Sequence, residues 1–337
     1  MLPRDSMSRI EAPTTRDRPT LPPGMVLRQP ELGDVPIVYD RQRRRAVPQL
    51  QARDLEIMRA LWRYDFLTTS QIGFEWWAGR HPSRPQIRLA ELSGAGLLAR
   101  FRPIVRRGTH QWIYQLARDG FRAAQRHEGP DGTYVDEGER WSDRWAVDMR
   151  RVQHQLRASG WMLAYRHLLG AAAIDWLGSR EARAVPESDD GEGAGVAPDA
   201  ALLIELDPRG APLELLVELA REERPARLAE RLRRYAGLLS GGWQAVLRPR
   251  RAERPPAVVF VARGYRDVDR LLRAADGELV GDSAGEAEAG MRERVLFCAE
   301  PDLHTGSLRA WVLPPDPPAA RSSREFRARE VRLPGRG

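Results

Sequence analysis

The chain has no lysine and no asparagine, so all 54 of its strongly basic side chains are arginine. This has the look of nucleotide bias in the genome. Net charge is untouched by it, but arginine outnumbering lysine then says nothing about bidentate recognition. Cysteine is nearly absent too: Cys298 stands alone, which excludes an internal disulfide. No Cys/His spacing resembles a zinc site, and the six histidines are dispersed, with His154 and His167 reading as helix-surface or core residues rather than ligands. No stretch approaches the roughly 18 uninterrupted apolar residues of a membrane span, and the N-terminus carries charge in place of a signal-peptide core. A cytoplasmic protein without structural metal, disulfide or membrane partner is expected.

A length of 337 residues with 42% apolar content suits two domains of ordinary size. Their charges differ. Residues 1–128 hold 22 Arg against 13 acids, a net of +9, while the remainder holds 32 Arg and 34 acids, a net of −2. Within the first part, ten arginines between Arg80 and Arg126 face only two acids, Glu91 and Asp119. Positive charge concentrated in this way points to double-stranded DNA as the partner.

The same region reads as three helices and a hairpin, the layout of a winged helix-turn-helix. Leu55, Met58 and Leu61/Trp62 recur at the spacing of an amphipathic first helix. Thr68, Thr69 and Ser70 offer hydroxyl caps for a second, and Ser83 with Pro85 opens a third that ends near Gly94 and Gly96. Leu89 and Leu92, helped by Ile87, form the apolar side of the third helix, leaving Arg84, Gln86, Arg88 and Glu91 to face outward. Arginine and glutamine on that face suit guanine and adenine edges, and equally phosphates. Strand-like LLARFRPIV and HQWIYQL then flank a turn at Arg106 and Arg107, a hairpin whose cationic tip fits phosphate or minor-groove contact. The expected DNA-binding residues are Arg80, Arg84, Gln86, Arg88, Arg100, Arg102, Arg106 and Arg107.

Residues 1–47, ending in the run Arg41, Arg43, Arg44 and Arg45, read as a disordered basic arm, and residues 48–128 as the winged domain. In the second part, a long helix from Trp141 to about Leu169 precedes the strands AAAIDWL, APDAALLIEL and PLELLVELA. Next come a helix striped by Leu228, Leu232, Tyr235/Ala236 and Leu239, the strand PAVVFVA, a helix from Val268 to Ala275 and a strand from Arg294 to Cys298. That succession suits a restriction-endonuclease-like α/β (α+β) domain over residues 140–313. Residues 187–195 and 277–290 read as flexible loops, and 314–337 as a disordered basic tail.

The run LLARFR, the tract WLGSREAR from Trp176, the strand PDAALLIEL and the segment LLVELAREERPARLAERLRRYAGLL together resemble the replication-relaxation family of bacterial and mobile-element proteins, over residues 50 to 275. The resemblance implies a DNA-associated protein in which a winged helix precedes a nuclease-like domain. The family name points to plasmid or element replication and to relaxation of DNA.

A PD-(D/E)XK nuclease needs an Asp on one strand, an acid on the next and a Lys two residues beyond it. Asp199 and Glu218 match the two acids, the candidate catalytic and Mg²⁺-binding pair, but residue 220 is alanine. The resemblance implies an acid at that position. Arg221 and Arg224 are the nearest cations, and a guanidinium is a poor base. Two carboxylates can still hold Mg²⁺ with waters completing the octahedron. The expected function is therefore duplex binding for a plasmid or mobile element, in replication, relaxation or transfer. In that reading the second domain is noncatalytic, needs no cofactor, and serves as a platform for a homodimer or for replication or transfer proteins. The alternatives are a Mg²⁺-dependent nuclease or nickase using Asp199 and Glu218, and a transcriptional regulator.

Overall fold

A computed structural model describes residues 36–40, 45–104, 110–126, 149–170, 173–179, 182, 195–205, 211–220, 225–244, 254–279, 286–304, 306–314 and 327–333. The chain is a mixed α/β protein, and residues Pro22–Leu163 form one compact unit while Ala164–Gly337 make up the bulk of a second.

In the first unit, α1 (Ala52–Tyr64) buries Ile57, Met58, Leu61 and Tyr64. Its first turn is closed by Asp54, whose carboxylate accepts from the Gln51 N–H at 2.8 Å. Strand β2 (Leu67–Thr68) leads directly into α2 (Thr69–Trp76), which starts with a reciprocal cap. The Gln71 N–H donates to the Thr68 hydroxyl at 3.2 Å, and the Thr68 N–H donates to the Gln71 side chain at 2.9 Å. The remaining amide of buried Gln71 donates to the Leu156 carbonyl at 2.7 Å. Helix α3 (Ser83–Gly94) follows, then β3 (Leu98–Pro103), β4 (Ile113–Leu116) and α4 (Arg118–Gln125). Gly120 lets α4 seat on the chain below it, for a Cβ there would lie 2.0 Å from the Leu97 carbonyl oxygen.

β3 and β4 pair antiparallel, with Leu98 opposite Leu116 and Phe101 opposite Ile113, and β2 pairs with β4. Residues Ile37–Tyr39, inside the expected arm, instead form β1 on the outer side of β3. Two contacts hold them: Tyr39 packs on Phe101 with centroids 5.7 Å apart, and Asp40 ion-pairs Arg100. The rest of the arm through residue 35 lies outside the described residues, as do Arg106 and Arg107.

The long helix is α5 (Met149–Leu169). Its first part belongs to the first unit, where Met149, Val152 and Leu156 close over Phe66, Phe101 and Ile113. The boundary therefore falls inside α5, later than the sequence suggested.

The second unit is built on seven strands in the order β11-β10-β9-β8-β7-β6-β5. These are β5 (Ala173–Gly178), β6 (Ala200–Ile204), β7 (Leu213–Leu219), β8 (Ala257–Ala262), β9 (Val295–Ala299), β10 (Arg309–Val312) and β11 (Arg329–Arg332). β7, β8 and β9 run parallel and the outer pairs antiparallel. Every residue of β7, β8 and β9 is buried, which explains the continuous apolar text of β8 and β9, while β7 also buries Glu214 and Glu218. Between them run α6 (Pro225–Gly237), α7 (Tyr265–Glu278) and α8 (Glu286–Arg294); a short α9 (Glu300–His304) follows β9. Leu232, Tyr235, Leu271, Leu272 and Met291 from α6 to α8 cover Leu216, Val258, Phe260 and Phe297 of the sheet.

The expected loop of residues 277–290 runs into α8, anchored by Arg292: this wholly buried guanidinium donates to the carbonyls of Pro314 at 2.7 Å and Leu279 at 3.0 Å and pairs with Asp276. The supposed tail contains β11, an arginine- and glutamate-rich edge strand. It pairs antiparallel with β10, and cross-links of Arg309 to Glu330 (2.7 Å) and Arg329 to Glu293 (2.8 Å) add to that ladder.

Candidate functional site

The basic face expected on α3 is present in part. Pro85, Leu89 and Leu92 are buried, while Arg84 and Gln86 on the first turns are exposed, as is Arg80 in the approach to the helix. Arg80 and Arg84 have no carboxylate partner among the described residues. Ile87 does not join the apolar side. At about 100° per residue it lies some 200° from both Pro85 and Leu89, and so it looks outward.

The same geometry corrects Arg88. It falls about 40° from Leu92, at the edge of the buried side. From there it bonds Asp54 twice, at 2.6 and 3.1 Å, and Glu91 at 2.7 Å, and it donates to the Gln49 carbonyl at 2.8 Å. The Asp54 carboxylate is 0% exposed. Arg88 is thus a clamp between α3 and the start of α1, and not a free reader of bases. Arg100 is likewise engaged, donating from Nε to Asp40 at 2.6 Å. Arg100 and Arg102 both lie against the Trp112 ring, each 4.7 Å from its centroid. Arg102 has no carboxylate partner among the described residues.

Asp199 lies just before β6, and Glu218 lies in β7. Ala200 pairs with Val217, so Asp199 and Glu218 lie opposite each other across β6 and β7. Asp199 accepts the Leu219 N–H at 2.8 Å. Glu218 is 3% exposed and meets two groups from α6: Tyr235 donates its hydroxyl to Oε1 at 2.5 Å, and Arg231 donates to Oε2 at 2.7 Å. Arg231 and Tyr235 are four residues apart and reach the site from one helix face. Neither was anticipated. The available signal was an arginine adjoining the apolar stripe of α6, whereas Arg221 and Arg224, the cations considered, lie outside the described residues. Ala220, buried, contributes only its N–H to the Val261 carbonyl, at 2.9 Å.

Burial and the neighbouring Asp199 push the Glu218 carboxyl up to about 7, with Arg231 and Tyr235 pulling it only part of the way back. Burial and Glu218 raise the Tyr235 hydroxyl well above its ordinary range, so it remains a proton donor. This arrangement does not fit a divalent cation. Both Glu218 oxygens are engaged, and a guanidinium already supplies the opposing charge. Among the described residues no group of three or more His, Cys, Asp or Glu side chains is placed to hold a metal.

Because the Glu218 carboxyl sits near 4.5 when unfolded and near 7 when folded, its proton stabilises the fold below about pH 4.5, and that contribution is lost as pH rises through 7. Glu218→Gln is expected to flatten this part of the stability profile. Arg231→Ala is expected to cost little at pH 5, where the carboxyl carries a proton, and about 2 kcal/mol at pH 8, where it loses a charged hydrogen bond. Denaturant unfolding of both variants at the two pH values checks this.

No helix among the described residues is long and apolar enough to cross a membrane. No curated protein and no solved structure matches the chain. A family profile described as Replication-relaxation does match, over residues 58–247, more than half of the 337. That span runs from within α1, through the exposed face of α3, to the strands that carry Asp199 and Glu218 and the helix that closes over them. By this match the chain belongs to the replication-relaxation family.

Proposed function

We propose that this chain binds double-stranded DNA of a plasmid or other mobile element and acts in its replication, relaxation or transfer. Residues 48–128 act as a winged helix-turn-helix, with α3 entering the major groove and the β3–β4 hairpin as the wing. The observation that carries this reading is the exposed start of α3, where Arg80, Arg84 and Gln86 stand without an opposing carboxylate among the described residues. Their charge suits phosphates, and Arg84 and Gln86 also suit base edges. Arg102 beside Trp112 adds a cation from the hairpin, and Arg106 and Arg107 add two more in the segment joining β3 to β4.

The second unit serves as a noncatalytic, nuclease-like platform for a second copy or for replication or transfer proteins. Support comes from Arg231, which opposes Glu218 where a nuclease would need a metal, and from Ala220, which stands where it would need lysine. Mixing the full chain with linear duplex in dilute buffer is expected to give a mobility shift. Supercoiled plasmid with Mg²⁺ or Mn²⁺ is expected to stay intact. Absence of any shift would end the binding proposal, and nicking abolished by Asp199→Ala and Glu218→Ala would make the protein an enzyme.

A further inference from the structure

Ile87 is 60% exposed on the outward side of α3. It sits three residues after Arg84 and four before Glu91, so it shares their stripe, and Gln86 adjoins it on the other side. The other large apolar side chains exposed among the described residues, Val38, Val47 and Ile104, lie outside helices. An isoleucine here adds nothing to the core. Being β-branched, it is also a poorer helix former than the alanine, leucine or arginine that an exposed position accepts readily.

We infer that Ile87 reads the 5-methyl group of a thymine in the major groove and is a specificity-determining residue of this face; the inference rests on the duplex-binding reading above. Thymine is the one standard base that presents a methyl group in that groove, and every other base edge there offers hydrogen-bond donors or acceptors. An apolar side chain bracketed by a guanidinium and a carboxamide has that one complementary surface to meet. Arg84 and Gln86 hold phosphates or purine edges on either side of it. The contact is worth about fourfold in affinity, the effect of burying one methyl group.

The test compares an alternating adenine–thymine duplex with the same duplex carrying deoxyuridine in place of thymidine, so that a methyl group is within reach in every register. The full chain is expected to bind the thymine form about fourfold tighter. Ile87→Ala, exposed and harmless to folding, is expected to bind both forms alike. Arg84→Ala is expected to weaken both forms and keep the thymine preference. Equal binding of both duplexes by the parent chain, or a preference that survives in Ile87→Ala, overturns the thymine contact while leaving duplex binding intact. A parent chain that binds neither duplex overturns both.

Discussion

Replacing Arg88 with alanine is expected to lower stability by about 3 to 5 kcal/mol at neutral pH, the cost of breaking a buried ion pair from one side. The Asp54 carboxylate it serves has no exposed surface, and Arg88 itself is 16% exposed. Without the guanidinium, Asp54 keeps the Gln51 N–H at 2.8 Å but loses two charged hydrogen bonds, and the Gln49 carbonyl and Glu91 lose their partner as well. Arg84→Ala, four residues earlier and exposed, should stay within about 0.5 kcal/mol of the parent. Urea unfolding of the two variants separates a clamp from a surface cation. An Arg88→Ala protein of parental stability that no longer binds duplex would return Arg88 to the reading face.

The second large effect falls on binding. In the triple variant Arg80→Ala, Arg84→Ala, Arg102→Ala, three candidate phosphate contacts are lost from positions that bear no carboxylate partner among the described residues. Each such contact contributes about 0.9 to the slope of log affinity against log salt, so the slope should fall by nearly three. If the contacts are neutral at 1 M salt, the same relation gives a loss of several hundredfold at 0.1 M. Stability should change little, because these side chains hold no buried partner. Anisotropy titrations over a range of salt concentrations measure both quantities. A variant that keeps the parental slope would place the DNA contacts elsewhere.

Much of the architecture was legible because it rests on local signals. Ser83 and Pro85 opened α3, Gly94 and Gly96 marked its end, and the unbroken apolar run of β8 told of a buried strand. The reading of Ile87 as apolar-side and of Arg88 as outward-facing was wrong, although their true positions were within reach. They follow from the helical repeat, which places one away from Pro85 and Leu89 and the other close to Leu92. What stayed hidden depends on partners distant in sequence. Arg88 looks free until Asp54, 34 residues earlier, is brought beside it. Glu218 looks like a metal ligand until α6 carries Arg231 and Tyr235 over it. β11 was illegible for a different reason: it is an edge strand held by its ladder to β10 and by charge pairs, and Val331 alone gives no apolar periodicity to announce it.

Arg84 is exposed on α3, Arg227 is exposed on α6, and the chain's single thiol, Cys298, is buried. A cysteine placed at either arginine would thus be the one accessible thiol among the described residues, ready to carry a photoreactive label. Arg84→Cys and Arg227→Cys, each labelled, mixed with duplex and irradiated, test where the double helix lies. The expected result is a covalent DNA adduct from position 84 and none from position 227. Adducts from both positions alike, or from 227 alone, would contradict recognition through α3.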